Sequence, residues 1–206
     1  VPFKALDAVV DGLVGIVARA TPEERAAVLP HGLGALARMF PGVARISDQL
    51  ESGPPDELRA RAVQALSELI GNLAKTKPVV VYADDLQWGD EGGVRLLGEL
   101  LATRPPFLLV VGSRAEYRGR SPALRAMDDV ARAHTPSILV ELGRLDDAAA
   151  TELVAAIAPA LDTARVAWVV REAEGNAFFL QELGRAAGRL GDTGPVRLDA
   201  LLRDAA

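Results

Sequence analysis

The chain has 206 residues, half of them hydrophobic and a quarter charged, with a net charge of −5 and a pI near 5.2. That length suits one sizeable domain with or without a small appendage, and with only 4% aromatics the core must be mostly Ala, Leu and Val. The acidic balance leaves no basic footprint for nucleic acid, the absence of cysteine excludes disulfides, thiolate metal sites and cysteine nucleophiles, and no apolar run reaches the roughly 18 residues of a membrane span.

Residues 1–75 read as helical. Leu6, Val9, Val10, Leu13 and Val17 recur at helical spacing. Thr21-Pro22-Glu23-Glu24 has the form of a capping box with Pro at the first helical position. Glu51-Ser52-Gly53-Pro54-Pro55 is a loop. Asp56 to Ala74 is a long amphipathic helix with Leu58, Ala62, Ala65, Leu66 and Leu69 on one side.

From residue 78 strands and helices alternate. Val79–Ala83 is an apolar strand whose composition suits burial on both faces of a parallel sheet. Asp90 caps a helix to about Thr103, and Phe107–Gly112 is a second strand ending in Ser113-Arg114. Ser121-Pro122 opens another helix, and Ile138–Leu142 reads as a third strand. This order argues for a parallel α/β sheet. Beyond residue 145 the pattern is helical, with Asp146 and Asp162 as caps and Ala177–Leu190 as the last helix. Gly191, Gly194 and Pro195 break the chain before a further element at Arg197–Asp204. The expected domains are 1–145 (partial α/β domain), 146–190 (helical lid) and 191–206 (start of a further element).

The chemistry concentrates in Ala83-Asp84-Asp85-Leu86-Gln87-Trp88-Gly89-Asp90. Two carboxylates at the C-terminal end of a buried strand lie where open α/β sheets bind ligands. One can hold Mg²⁺ and the other can handle the attacking water of a nucleoside triphosphate. The phosphate-cradling pattern G-x-x-x-x-G-K-[ST] is nowhere in the chain, and none of the three lysines, Lys4, Lys75 and Lys77, follows a glycine loop. By this reading the chain carries half of a nucleotide site. It begins at Val1 rather than Met, and the expectation is a fragment that starts after the phosphate loop.

The D-D-L-Q-W-x-D stretch resembles the P-loop ATPases of the AAA-like and STAND group. Other segments follow that resemblance in order. Val1-Pro2-Phe3-Lys4-Ala5-Leu6-Asp7 is similar to the segment after the family's second strand. Val110-Val111-Gly112-Ser113-Arg114 is similar to its sensor-1 strand. Leu142-Gly143-Arg144-Leu145 resembles the lead into its lid, and Gly175-Asn176-Ala177-Phe178-Phe179-Leu180-Gln181-Glu182-Leu183 resembles the lid motif itself. Ala177 stands where the family pattern has Pro.

The resemblance implies a P-loop-type parallel sheet lacking its first strands, followed by a small helical lid. The family's strand order is 5-1-4-3-2. Val79–Ala83 and Phe107–Gly112 would then pair directly, and Ile138–Leu142 would lie beyond a gap. It implies ATP and Mg²⁺ as ligands, with Asp84 on the metal, Asp85 and Arg114 as catalytic residues, and Asn176 and Ala177 as lid contacts to the nucleotide. It also implies a bacterial, cytoplasmic signalling or transcription-regulatory protein with an effector domain in the same chain, whether serine/threonine kinase, adenylate cyclase or DNA-binding domain. Direct contact with nucleic acid or a membrane is not expected of this segment. The alternative function is a non-catalytic interaction module with a degenerate nucleotide site.

Several of these residues also admit plainer roles. Arg114 can be a surface ion-pair residue, and Asn176 a helix cap after Gly175. Gln87 can be polar surface or a partner of the carboxylates. Trp88 is expected to pack, and His31 and His134 to be structural or exposed.

Overall fold

A computed structural model describes residues 4–133 and 136–190. The elements are α1 (Lys4–Arg19), α2 (Pro22–Val28), α3 (Leu33–Met39), α4 (Pro55–Ala74), β1 (Val79–Ala83), α5 (Glu91–Ala102), β2 (Phe107–Val111), α6 (Pro122–Ala133), α7 (Asp147–Ile157), α8 (Thr163–Ala173) and α9 (Ala177–Leu190). Contacts divide the chain into two compact units between Ile138 and Leu139. His134, the turn at 191–196 and the element at Arg197–Asp204 lie outside the described residues.

The helical starts follow their capping chemistry. Thr21 Oγ1 accepts from the Glu24 N–H, and the Glu24 carboxylate accepts from the Thr21 N–H, so both halves of the capping box form. Asp90, Asp146 and Asp162 each accept a backbone N–H three residues on and cap α5, α7 and α8. Two prolines open α4 with no side-chain cap.

The core of the first unit is assembled from helix faces. Leu6, Val10, Leu13, Val14 and Val17 of α1 share one buried cluster with Leu33 and Leu36 of α3, which packs on the α4 stripe of Leu58, Ala62, Ala65, Leu66, Leu69 and Ile70. Leu96, Leu97 and Leu100 of α5 close the cluster, and Val79, Phe107 and Leu109 rest on it from the sheet. Fully burying each aliphatic side chain is worth about 1.5–3 kcal/mol, so this one cluster dominates the unit's stability.

β1 and β2 pair in parallel with Val79 opposite Phe107 and Ala83 opposite Val111. The connection runs through α5, which is the covalent length a parallel crossover needs. Successive residues alternate across the sheet. Val81 is buried, while Val80 and Tyr82 are 60% and 59% exposed, and Leu108 and Val110 beside them are 59% and 40% exposed. The expectation of a strand buried on both faces is therefore corrected. The helices of this unit cover one face of the sheet and leave the apolar opposite face open.

The third strand is corrected as well. Ile138–Leu142 adopts no regular structure, and Ile138, Leu139, Val140 and Leu142 are 66–93% exposed. A strand exists through bonds to a neighbour, and among the described residues none pairs with this stretch. β-propensity alone does not order it.

The second unit buries Ala150, Val154, Val169, Val170, Ala173, Leu180, Leu183 and Ala187 between α7, α8 and α9. Gly175, at φ 72°, turns the chain from α8 into α9, and its carbonyl accepts from the Leu145 N–H at 2.8 Å. A Cβ there would run into the Leu145 carbonyl as well as adopt a disfavoured φ, so the position requires glycine.

Amide hydrogen exchange checks this division. The amides of β1 that bond to β2 are expected to exchange at least about 100-fold more slowly than those of Ile138–Leu142, because opening β1 breaks the core whereas among the described residues nothing pairs with the other stretch. Equal protection in a monomer would contradict the unpaired state of that segment.

Candidate functional site

The site is built on the C-terminal ends of the two parallel strands. Pairing continues one step past the strands. The Gly112 N–H donates to the Ala83 carbonyl at 2.8 Å, and the Leu86 N–H donates to the Gly112 carbonyl at 3.0 Å. These bonds hold the turn after β1 against the turn after β2. Leu86 plugs into a small cluster with Val94, Ala123 and Leu124, which Val111, Tyr117 and Met127 flank. The loop is thus anchored from below by α5 and α6.

Asp84 and Asp85 leave the anchored strand end and are exposed. Asp85 has φ 52° and ψ 38°. Asp is one of the few residues that take this left-handed conformation at modest cost, since its short polar side chain bonds locally. The Asp85 N–H donates to Asp84 Oδ1 at 2.9 Å. A hydrogen bond from the Tyr82 phenol to Asp84 holds that phenol's pKa above its ordinary value, with desolvation and the charges of Asp84 and Asp85 adding to it.

Gly112 makes room for this carboxylate. A Cβ at Gly112 would fall onto Asp84 Oδ1 and lie 3.1 Å from the Tyr82 hydroxyl. Arg114, two residues on, sets its Nε 3.9 Å from Asp85 Oδ1, with both side chains more than half exposed. The structure therefore brings Asp84, Asp85 and Arg114 together. An exposed pair at that distance adds little stability, about 0–1 kcal/mol, so folding does not by itself require Arg114 there.

Gln87 is the residue whose weight the sequence leaves open. It is 5% exposed. Its Nε2 donates to Asp85 Oδ1 at 2.7 Å, and its Oε1 accepts from the Arg114 N–H at 3.2 Å. Its backbone carbonyl accepts from Ser121 Oγ at 3.1 Å, at the start of α6. The signal in the sequence was its place between Leu86 and Trp88, but burial of an amide cannot be read from that.

Trp88 departs from expectation. It is 60% exposed and meets the Tyr117 ring edge-on at 4.9 Å between centroids. Leu86 takes the buried position in this turn, which turns Trp88 outward. Asp90 serves the fold, because its carboxylate caps α5 through the Gly93 N–H at 2.7 Å. His31 is exposed and pairs with Glu68 at 2.8 Å, away from the carboxylates in sequence and in bonding.

Asn176 and Ala177 belong to the second unit. Asn176 Oδ1 accepts from the N–H groups of Phe178 and Phe179 at 3.0 and 3.3 Å, which makes it the cap of α9. Arg144 reaches the Glu174 carbonyl at 2.7 Å and its carboxylate at 3.1 Å across the same turn.

Among the described residues no three His, Cys, Asp or Glu side chains converge as a metal cage. Mg²⁺ does not need one, as it is commonly held by one or two carboxylates with water and substrate phosphates. An all-oxygen donor set, with a side-chain-free glycine beside it, fits that kind of ion. A family model described as an AAA ATPase domain matches residues 3–111. The chain belongs to that family. No curated protein and no solved structure matches it. The family is one of ATP-binding domains, and the matched stretch includes both Asp84 and Asp85 and ends three residues before Arg114.

The packing of Gly112 on Asp84 can be tested by stability. Gly112→Ala is expected to destabilise the AAA domain by about 1–3 kcal/mol, the usual cost of forcing an atom into occupied space. In an Asp84→Gly background most of that penalty should vanish, giving a coupling energy above about 0.5 kcal/mol in a double-mutant cycle of denaturant unfolding. Additive penalties would show that the two residues do not meet.

Proposed function

We propose that the ends of β1 and β2 form the metal and γ-phosphate side of an ATP site, and that the chain is the ATPase module of a multidomain bacterial signalling or transcription-regulatory protein. The observation that carries this reading is the meeting of Asp84, Asp85 and Arg114 at adjacent C-terminal strand ends over the gap left by Gly112. Ligands of open parallel sheets bind at those ends.

In this reading Asp84 holds Mg²⁺ through its exposed carboxylate. The ion, when bound, neutralises charge on the phosphate oxygens. Asp85 orients the attacking water and accepts its proton. Its Oδ1 accepts from Gln87 Nε2, and among the described residues no hydrogen bond occupies Oδ2, the atom we assign to this role. Arg114 lies beside Asp85 and faces the γ-phosphate, where a guanidinium offsets the charge that develops in phosphoryl transfer. The helices α7–α9 carry nucleotide state to an effector domain such as a kinase, a cyclase or a DNA-binding domain.

The 206 residues contain no G-x-x-x-x-G-K-[ST] stretch. The chain by itself is therefore expected to release phosphate from Mg·ATP well below about 1 s⁻¹, the low end of ordinary enzyme rates. Turnover near that rate, lost in Asp85→Asn, would contradict this.

In the protein as its gene encodes it, calorimetric titration separates the roles. Asp84→Ala is expected to abolish the gain in ATP affinity on adding Mg²⁺. Arg114→Ala is expected to narrow the preference for ATP over ADP by about tenfold, a typical loss for one charge-assisted contact. Parent-like metal dependence in Asp84→Ala would remove Asp84 from the metal role.

A further inference from the structure

We infer that Gln87 is the positioning residue of this site, the part that aims the Asp85 carboxylate and ties it to the backbone beyond β2. The inference rests on the ATPase reading for its catalytic consequence and on geometry alone for the rest.

Among the described residues, Gln87 and Ser121 are the two polar side chains that are buried. Burying an amide is costly unless both of its ends find partners. Here both do. The Asp85 carboxylate needs a donor and receives Nε2–H at 2.7 Å. The Arg114 N–H needs an acceptor and finds Oε1 at 3.2 Å. A carboxylate in place of the amide could serve only the second partner and an aliphatic side chain neither. The two bonds therefore assign the amide's orientation without ambiguity.

The scaffold around Gln87 is fixed. Leu86 before it is 1% exposed, and Ser121 Oγ, itself buried, holds its carbonyl at 3.1 Å. Asp85, by contrast, is exposed and sits on a left-handed backbone. An exposed carboxylate ordinarily samples several rotamers. The charge-assisted bond from a fixed amide to Oδ1 selects one. The same amide links Asp85 to the backbone N–H of Arg114, so the two groups assigned to water and to γ-phosphate share one buried support.

Two variants dissect the two bonds. Gln87→Leu removes both, and Gln87→Glu keeps only the acceptor. NMR on the 206-residue chain reads each bond directly. In Gln87→Leu the Arg114 amide should exchange at least about tenfold faster, while in Gln87→Glu it should stay within about threefold of the parent. Side-chain couplings of Asp85 should report one χ1 rotamer in the parent and an average in both variants. Amides of β1 should keep their protection throughout, which separates lost positioning from unfolding. In the full gene product, kcat for Mg·ATP should fall about 10–100-fold in both variants, with KM within about threefold, as expected when a reacting group is misplaced but the substrate is still bound.

The inference is overturned if Gln87→Leu leaves the Arg114 amide and the Asp85 rotamer unchanged. It is also overturned if both variants keep parental kcat while Asp85→Asn loses it. If Asp85→Asn itself keeps full turnover, the ATPase reading fails instead, and the exchange and coupling data still decide the role of Gln87.

Discussion

The rest of the site depends on one parallel pairing of two five-residue strands. Parallel strands end on the same edge, so whatever follows β1 must meet whatever follows β2. Here the pairing runs on through Gly112, whose N–H and carbonyl bond to Ala83 and to Leu86. That bridge is what turns two acids at residues 84 and 85 and an arginine at residue 114 into neighbours. Without it, Asp85 and Arg114 are 29 positions apart in the chain with no reason to touch.

The stretch Asp84-Asp85-Leu86-Gln87-Trp88-Gly89-Asp90 divides its labour between fold and chemistry. Leu86 seals the loop onto α5 and α6, Asp90 starts α5, and Gln87 satisfies an amide and a carboxylate at once. Those three commitments are structural and present Asp84 and Asp85 at the surface, exposed but held in place. Gly112 contributes by having no side chain, since any Cβ would occupy the space of the Asp84 carboxylate. An exposed acidic pair fixed on a rigid strand end suits a ligand that brings its own charge.

Local rules made most of the helices legible. Thr21, Asp90, Asp146 and Asp162 cap where short polar side chains preceding an apolar stripe should cap, because such bonds reach only three residues along the chain. The two strands and the placement of Asp84, Asp85 and Arg114 were legible for the same reason, combined with the one edge that parallel strands share. What failed depends on partners that sequence does not display. Among the described residues Ile138–Leu142 has the composition of a strand and no pairing partner, and the face of Val80, Tyr82, Leu108 and Val110 has the composition of an interior that the helices of its own unit leave uncovered. Trp88, expected to pack, is exposed, while Gln87, open between surface and partner of the carboxylates, is buried, since which of two adjacent residues turns inward is set by the backbone of the loop and not by hydropathy. Asn176 caps α9, the plainer of the two roles its place after Gly175 offered.

The central claim is that the metal and the triphosphate meet at the ends of β1 and β2. Mn²⁺ accepts the same oxygen ligands as Mg²⁺ and broadens NMR signals near it. With Mn·ATP added to the full gene product, the account predicts that the amides of Ala83–Leu86 and Gly112–Arg114 broaden first and together, and that Asp84→Ala removes the effect. Sharp signals at both strand ends, with broadening elsewhere in the chain, would contradict it.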